Sequence, residues 1–387
     1  MLWNYIKIAL RNLRKNKVFA AINIFGLAFG MTIFVFGGLL VRYESTHDAF
    51  FANSDRIYTI GSMASPNLNV GIRQIDATWT AVGPFIKAEI DGVEDMARTV
   101  TREHLVSIGD NRFYEKLRAA DPAFLKIFDL DFIHGDSTAL DDPSGLIMSE
   151  SAAIKYFGNT DVLGKVVTLD NTYDFRVSGV FKDVPKNSHF NSMPVMDTSL
   201  DIVMPMAALG RMDEDFDING KWDNLSLGNM TYVMLRPGLD GKWLNDQLVG
   251  IYDRHFPEQA KDGISSIYAS PLQHANLGIW DTFGLPAVAI IRLLSFLVLV
   301  VACVNYTNLA TAQALGRSRE VGMRKTMGAQ RGQLLLQFLI ESVVIATIAM
   351  LVAVAILEIV IPLFDNLSNK VMRLDYLRTL PWLATGL

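Results

Sequence analysis

Residues 18–41, VFAAINIFGLAFGMTIFVFGGLLV, hold no charged side chain over 24 positions. As a helix this run rises about 36 Å, enough to cross a hydrocarbon core of about 30 Å. A cleaved signal peptide would have an apolar core of only about 7–15 residues, so the run reads as a retained anchor. Two further runs qualify. Residues 285–314 carry Arg292 as their only charge, near the start, where a long side chain can snorkel to the interface. Residues 333–362 carry Glu341 and Glu358 near their two ends. Both glutamates fall at headgroup level, which argues against an intramembrane ion or proton site. Half of the 387 residues are hydrophobic and only 19% are charged, as a membrane protein requires.

Charge sets the orientation. The first 43 residues contain six basic side chains (Lys7, Arg11, Arg14, Lys15, Lys17 and Arg42) and no acid. The positive-inside rule therefore places the N-terminus in the cytoplasm. Crossing once puts residues 44–284 outside, and crossing back puts RSREVGMRKTMGAQRGQ, residues 317–333, inside, where its five basic residues against one acid agree. The external block has 20 Lys and Arg against 35 Asp and Glu, a net of −15, so nucleic acid is excluded as a partner. The one cysteine, Cys303, lies in the second span, so no intrachain disulfide can form. The external block must be held by its own core, which its length predicts as two lobes.

Residues 2–16 put Leu2, Ile6, Ala9, Leu10 and Leu13 on one helical face with Lys7, Arg11, Arg14 and Lys15 mostly opposite. That is an interfacial amphipathic helix. Residues 165–181 read as a hairpin turning at DNT, 170–172. Residues 149–158 predict a short helix capped by Ser149 or Ser151 and ended by Gly158, and residues 239–256 a helix capped by Asp240. RTVTREHLVSIG, RFYEKLRAA and MTYVMLRP read as strands. The fold class is an α+β membrane protein with a mixed α/β extracytoplasmic domain inserted between the first and second spans.

Motifs that carry chemistry are few. GNTDVLGKVV, 158–167, spaces its glycines by five residues and follows the lysine with Val166, so it is no phosphate loop. Residues 215–226 begin like a calcium loop with Asp215, Asp217, Asn219, Gly220 and Asp223, but Ser226 stands where a bidentate Glu is needed, and an acidic polar turn is the better reading. The six histidines never fall at H-x-x-x-H spacing, and no G-x-S-x-G occurs. Nothing argues for an enzyme. The basic segment is read as a helix that breaks at Gly328 and restarts into the third span; a plain positive-inside loop would explain its charge but not that pattern, which asks for a cytoplasmic partner.

EVGMRKTMGAQRGQLLLQFLIES resembles the signature of the FtsX-like permeases of ABC transporters, and IKIALRNLRKNKVFAAINIFGLAFG is similar to their entry helix and first span. SDRIYTI, DPAFLKIFDLDFIHGD, SESAAIKYFGNTDVLGKVVTLD, VSGVFKDVPKNSHF and TYVMLRPG resemble the MacB-type periplasmic core domain. The resemblance implies an interface helix over 1–17, a first span over 18–42, an extracytoplasmic core domain over 43–284 and a second span over 285–314. A coupling helix and turn follow over 315–332, then a third span over 333–362 and an external loop with the start of a fourth span over 363–387. It implies that Arg317, Arg319, Glu320, Val321, Arg324, Lys325, Met327, Gly328 and Arg331 seat against a separate cytoplasmic ABC ATPase, through which ATP and Mg enter; the chain itself binds no cofactor and no metal. Membrane lipid, a second permease half or a second copy, and a periplasmic adaptor are the other partners it suggests, in a bacterial cytoplasmic (inner) membrane. Export of a drug, peptide or lipidated substrate is the implied function. A regulator of cell-wall hydrolysis or envelope signalling, or a sensor with a ligand-binding ectodomain, are the alternatives. The abrupt end in LRTLPWLATGL suggests the first half of a tandem permease.

Overall fold

The computed structural model describes residues 2–66, 73–191, 200–213, 216, 222, 228–277, 284–316, 323, 326, 331–368 and 370–372. Among these, helices α1 (Leu2–Lys15), α2 (Lys17–Ser45), α3 (Val82–Glu89), α4 (Ala123–Phe128), α5 (Glu150–Phe157), α6 (Met206–Met212), α7 (Gly241–His255), α8 (Glu258–Lys261), α9 (Ala287–Gly316) and α10 (Arg331–Ser368) alternate with strands. The strands are β1 (Ile57–Ala64), β2 (Gln74–Ile75), β3 (Val93–Ile108), β4 (Asn111–Ala120), β5 (Phe132–His134), β6 (Gly145–Ser149), β7 (Val166–Leu169), β8 (Tyr173–Phe181), β9 (Ile202–Pro205), β10 (Met230–Leu235) and β11 (Ile264–Pro271). Two compact units result, one of Met1–Tyr43 with Val288–Leu387, the other of Glu44–Ala287.

The first unit is helical, and α2, α9 and α10 are each long and apolar enough to cross a membrane. Small residues set its packing. A side chain at Gly30 would collide with Ala302 of α9, and one at Gly37 with Ser295, so only glycine lets these backbones approach so closely. Position rises along α2 as it falls along α9, hence the two run antiparallel. On another side Leu27 and Ala28 meet Ala349 and Ala353 of α10, while Val35, Leu39 and Tyr43 meet Leu357, Ile361 and Met372, a parallel arrangement. The turn joining α1 to α2 keeps helical hydrogen bonds: Asn16 N–H donates to the Asn12 carbonyl at 3.1 Å, and its carbonyl accepts from Ala20 at 2.9 Å.

Sequence places the end of the third span at residue 362, yet α10 runs through Pro362 to Ser368. Proline removes one helical hydrogen bond, and packing offsets the loss. Phe364 stacks edge-to-face on Phe36 with centroids 5.1 Å apart, and the Asp365 carboxylate accepts from Met372 N–H at 3.1 Å.

The second unit is built on an 11-stranded sheet in the order β11-β1-β10-β3-β4-β9-β6-β8-β5, with β2 on β1 and β7 on both β3 and β8. The pairing of β7 closes β3, β4, β9, β6, β8 and β7 into a ring. A ring leaves no free edge among its members. Alternate residues from every one of its strands fill the core it shares with α5 and α6: Val106, Leu117, Met204, Met148, Val177 and Val167. The opposite parity packs with α4, where Phe124 and Phe128 meet Tyr232, Ile147 and Val203. The remaining β11-β1-β10 portion is an open sheet covered by α3 and α7 through Ile60, Val233, Ile86, Leu244 and Leu248. The two predicted lobes are thus one compact unit on a continuous sheet, because β10 pairs directly with β3 over Met230 to Leu235.

Local signals form as their sequence dictates. Ser149 Oγ accepts from Ala152 N–H at 3.2 Å, and Gly158 ends α5 with φ 80°. Asp240 caps α7 by accepting from Trp243 N–H at 2.8 Å. In the β7–β8 hairpin Asp170 and Asn171 take positive φ of 53° and 55°, which Asp and Asn tolerate better than most residues.

Candidate coupling site at the α9–α10 junction

α9 ends at Gly316 and α10 opens at Arg331, so the basic segment joins two antiparallel helices. Of the residues that sequence assigns to the site, Arg331 is the first of α10. Arg317, Arg319, Glu320, Val321, Arg324, Lys325, Met327 and Gly328 lie outside the described residues, as do Asp215, Asp217, Asn219, Gly220, Asp223 and Ser226 of the calcium-like stretch. Within the segment Met323 and Thr326 are helical; Met323 is exposed, and the Thr326 hydroxyl donates to its carbonyl at 2.8 Å.

Next to this junction the helices line a partly open pocket of about 420 Å³, largely apolar, into which Asn23 of α2, Tyr306, Thr307 and Thr311 of α9, and Glu341 and Ser342 of α10 bring polar groups. Asn23 and Glu341 are buried, at 3% and 8% exposure. Glu341 therefore faces into the helix bundle. The Thr307 and Thr311 hydroxyls donate to the carbonyls of Cys303 and Thr307, each at 2.8 Å, and so are held by their own helix. The Asn23 side-chain oxygen has no hydrogen-bond donor among the described residues. The one sequence signal for this pocket is an asparagine inside an uncharged run.

The boundary between the two units falls inside α2, between Tyr43 and Glu44. Directly after that helix the ectodomain begins with a buried polar cluster that sequence reasoning does not find. Asp48, fully buried with φ 56°, accepts from Ser188 Oγ at 2.6 Å and His189 N–H at 3.1 Å, and lies 2.9 Å from His189 Nδ1. His189 Nε2 in turn meets the Tyr232 hydroxyl of β10 at 2.8 Å. Burial pushes the Tyr232 phenol well above its ordinary range, against the opposing pull of Arg118. These residues lie far apart in the chain, so only the folded sheet brings them together.

Residues 20–251 match the MacB-like periplasmic core domain, and residues 292–386 the FtsX-like permease C-terminal domain. The chain belongs to the MacB- and FtsX-type permease family. It is an ABC-transporter permease, a membrane protein with an extracytoplasmic domain. This permease is 47% identical over 58 residues to the uncharacterized ABC transporter permease YknZ of Bacillus subtilis, covering 15% of each chain. It is 24% identical over 202 residues to the macrolide export ATP-binding/permease protein MacB of Neisseria meningitidis, covering 50% of this permease and 31% of that relative. The matched stretches thus span less than a third of these curated relatives' own lengths. Among solved structures, the periplasmic region of MacB from Actinobacillus actinomycetemcomitans aligns at TM-score 0.41 and 15% identity, over 59% of this permease and 94% of that chain.

Proposed function

We propose that this permease transmits ATP hydrolysis by a separate cytoplasmic ATPase into movement of its extracytoplasmic domain, expelling a drug, a peptide or a lipidated molecule from the outer side of a bacterial inner membrane. The observation that carries the reading is the basic connector of residues 317–333, held between two antiparallel spans. Its cations are retained on the cytoplasmic face and offer a docking surface there. The partner supplies ATP, Mg and hydrolysis, and this chain supplies rigid transmission. Two features support transmission over conduction. The second unit begins on α2 and ends at Ala287, the first residue of α9, so the chain enters and leaves it through the two spanning helices. The spans also present few polar side chains beyond the pocket beside the junction. A second permease half or a second copy completes the pathway. The export named for the macrolide relative is the nearest guide to direction.

The test is copurification of the full-length protein in nanodiscs, comparing wild type with an Arg324→Glu, Lys325→Glu double variant. An ATPase subunit should come down with the wild type and be lost from the folded double variant. Equal recovery with both proteins, or no ATPase with either, would leave the segment as a topological anchor only.

A further inference from the structure

α1, the first turns of α2 and Ile348 of α10 line a groove of about 720 Å³ that plays no part in the proposed coupling. One end is cationic. Lys7, Arg11 and Arg14 fall at helical spacing along one side of α1, and Lys17 opens α2; all four are exposed, and none pairs with a carboxylate among the described residues. No acid occurs in the first 43 residues to answer them. The other end is apolar, lined by Ala21 and Phe25, with Phe25 62% exposed. From Lys17 to Phe25 the helix rises roughly 12 Å, a distance over which polarity changes from fully charged to fully hydrocarbon.

From this gradient we infer that the groove is a binding site for one anionic phospholipid. The forked guanidinium groups of Arg11 and Arg14 suit a phosphodiester, which they can grip through paired N–H donors. Lys7 and Lys17 add point charges that favour a headgroup of net negative charge over a zwitterionic one. The exposed face of Phe25 and the small side chain of Ala21 leave a seat for the upper acyl carbons. Each basic side chain near an anionic headgroup strengthens binding roughly fivefold, so four of them discriminate strongly between lipid classes. Occupancy pins α1 against α2 across the Asn16 turn and gives the N-terminal helix a fixed position at the membrane surface.

The experiment uses the full-length protein in detergent, titrated with phosphatidylglycerol or phosphatidylcholine and read by native mass spectrometry. Wild type should retain one phosphatidylglycerol with at least tenfold preference. Two variants attack opposite ends of the groove: Arg11→Gln with Arg14→Gln removes the phosphate fork while keeping Lys7, Lys15 and Lys17, and Ala21→Trp fills the acyl seat while keeping every cation. Both should fall to the phosphatidylcholine level. Equal retention of the two lipids by wild type overturns the proposal. So does unchanged binding by either variant: survival in Ala21→Trp would mean diffuse surface attraction without a groove. Displacement of the lipid by millimolar inorganic phosphate would mark a simple anion site and would overturn it as well.

Discussion

Tyr232 lies wholly within the ectodomain core, its hydroxyl 2.8 Å from His189 Nε2 and its ring against Phe124 and Phe128. Tyr156 is partly buried beside Glu115 and Lys155, and burial, helped by the Glu115 carboxylate, pushes its phenol up to about 12. In the unfolded chain both phenols ionise near pH 10. Above that the unfolded state holds fewer protons than the folded one, so stability falls as pH rises. The raised lysines act in the same sense: Lys155, held up by Glu115, and Lys182, held up by Asp131, both keep their protons longer when folded. The thermal midpoint should therefore be level from neutral pH to about pH 10 and drop progressively toward pH 12, with a shallower slope in Tyr156→Phe. A profile that stays level across that window would contradict the assignment.

At the scale of elements, the α2–α9 contact rests on the absence of side chains. Gly30→Leu should drive α9 away from α2, since the new atoms would occupy the place of Ala302. Overpacking of this kind costs about 1–3 kcal/mol, seen as a lower unfolding temperature in detergent, while Gly332→Ala, where no atom lies nearby, should leave the midpoint unchanged. The helix caps at Ser149, Gly158 and Asp240 and the hairpin turn at Asp170 were legible because each depends on residues a few positions apart. β6 and β9 were not. Gly145–Ser149 and Ile202–Pro205 are buried along their whole length, so neither shows the alternation that marks a half-exposed strand, and β9 pairs with β4, about eighty residues earlier. The candidate site divides the same way. Its basic residues could be read directly, whereas the pocket of Asn23 and Glu341 exists only once three helices pack.

For the whole molecule, the division between Tyr43 and Glu44 within one helix makes a mechanical prediction. If the proposed coupling holds, inserting a flexible Gly-Ser-Gly-Ser segment there should leave binding and hydrolysis by the proposed ATPase partner intact while abolishing the proposed export, measured by substrate accumulation. Retained export would mean that α2 is a tether and that force travels by another route. The sheet carries a different consequence. β1, made first, pairs on one side with β10 and on the other with β11, the last two strands of the domain. During synthesis β2 covers only Ser62 and Met63 of that first strand, so its whole β11 edge and the Ile57–Thr59 stretch of its β10 edge stay open while about 170 further residues emerge, and open edges are templates for pairing between chains. Completion of the C-terminal strands, and not early collapse, is thus the moment in biogenesis at which the ectodomain is protected from aggregation.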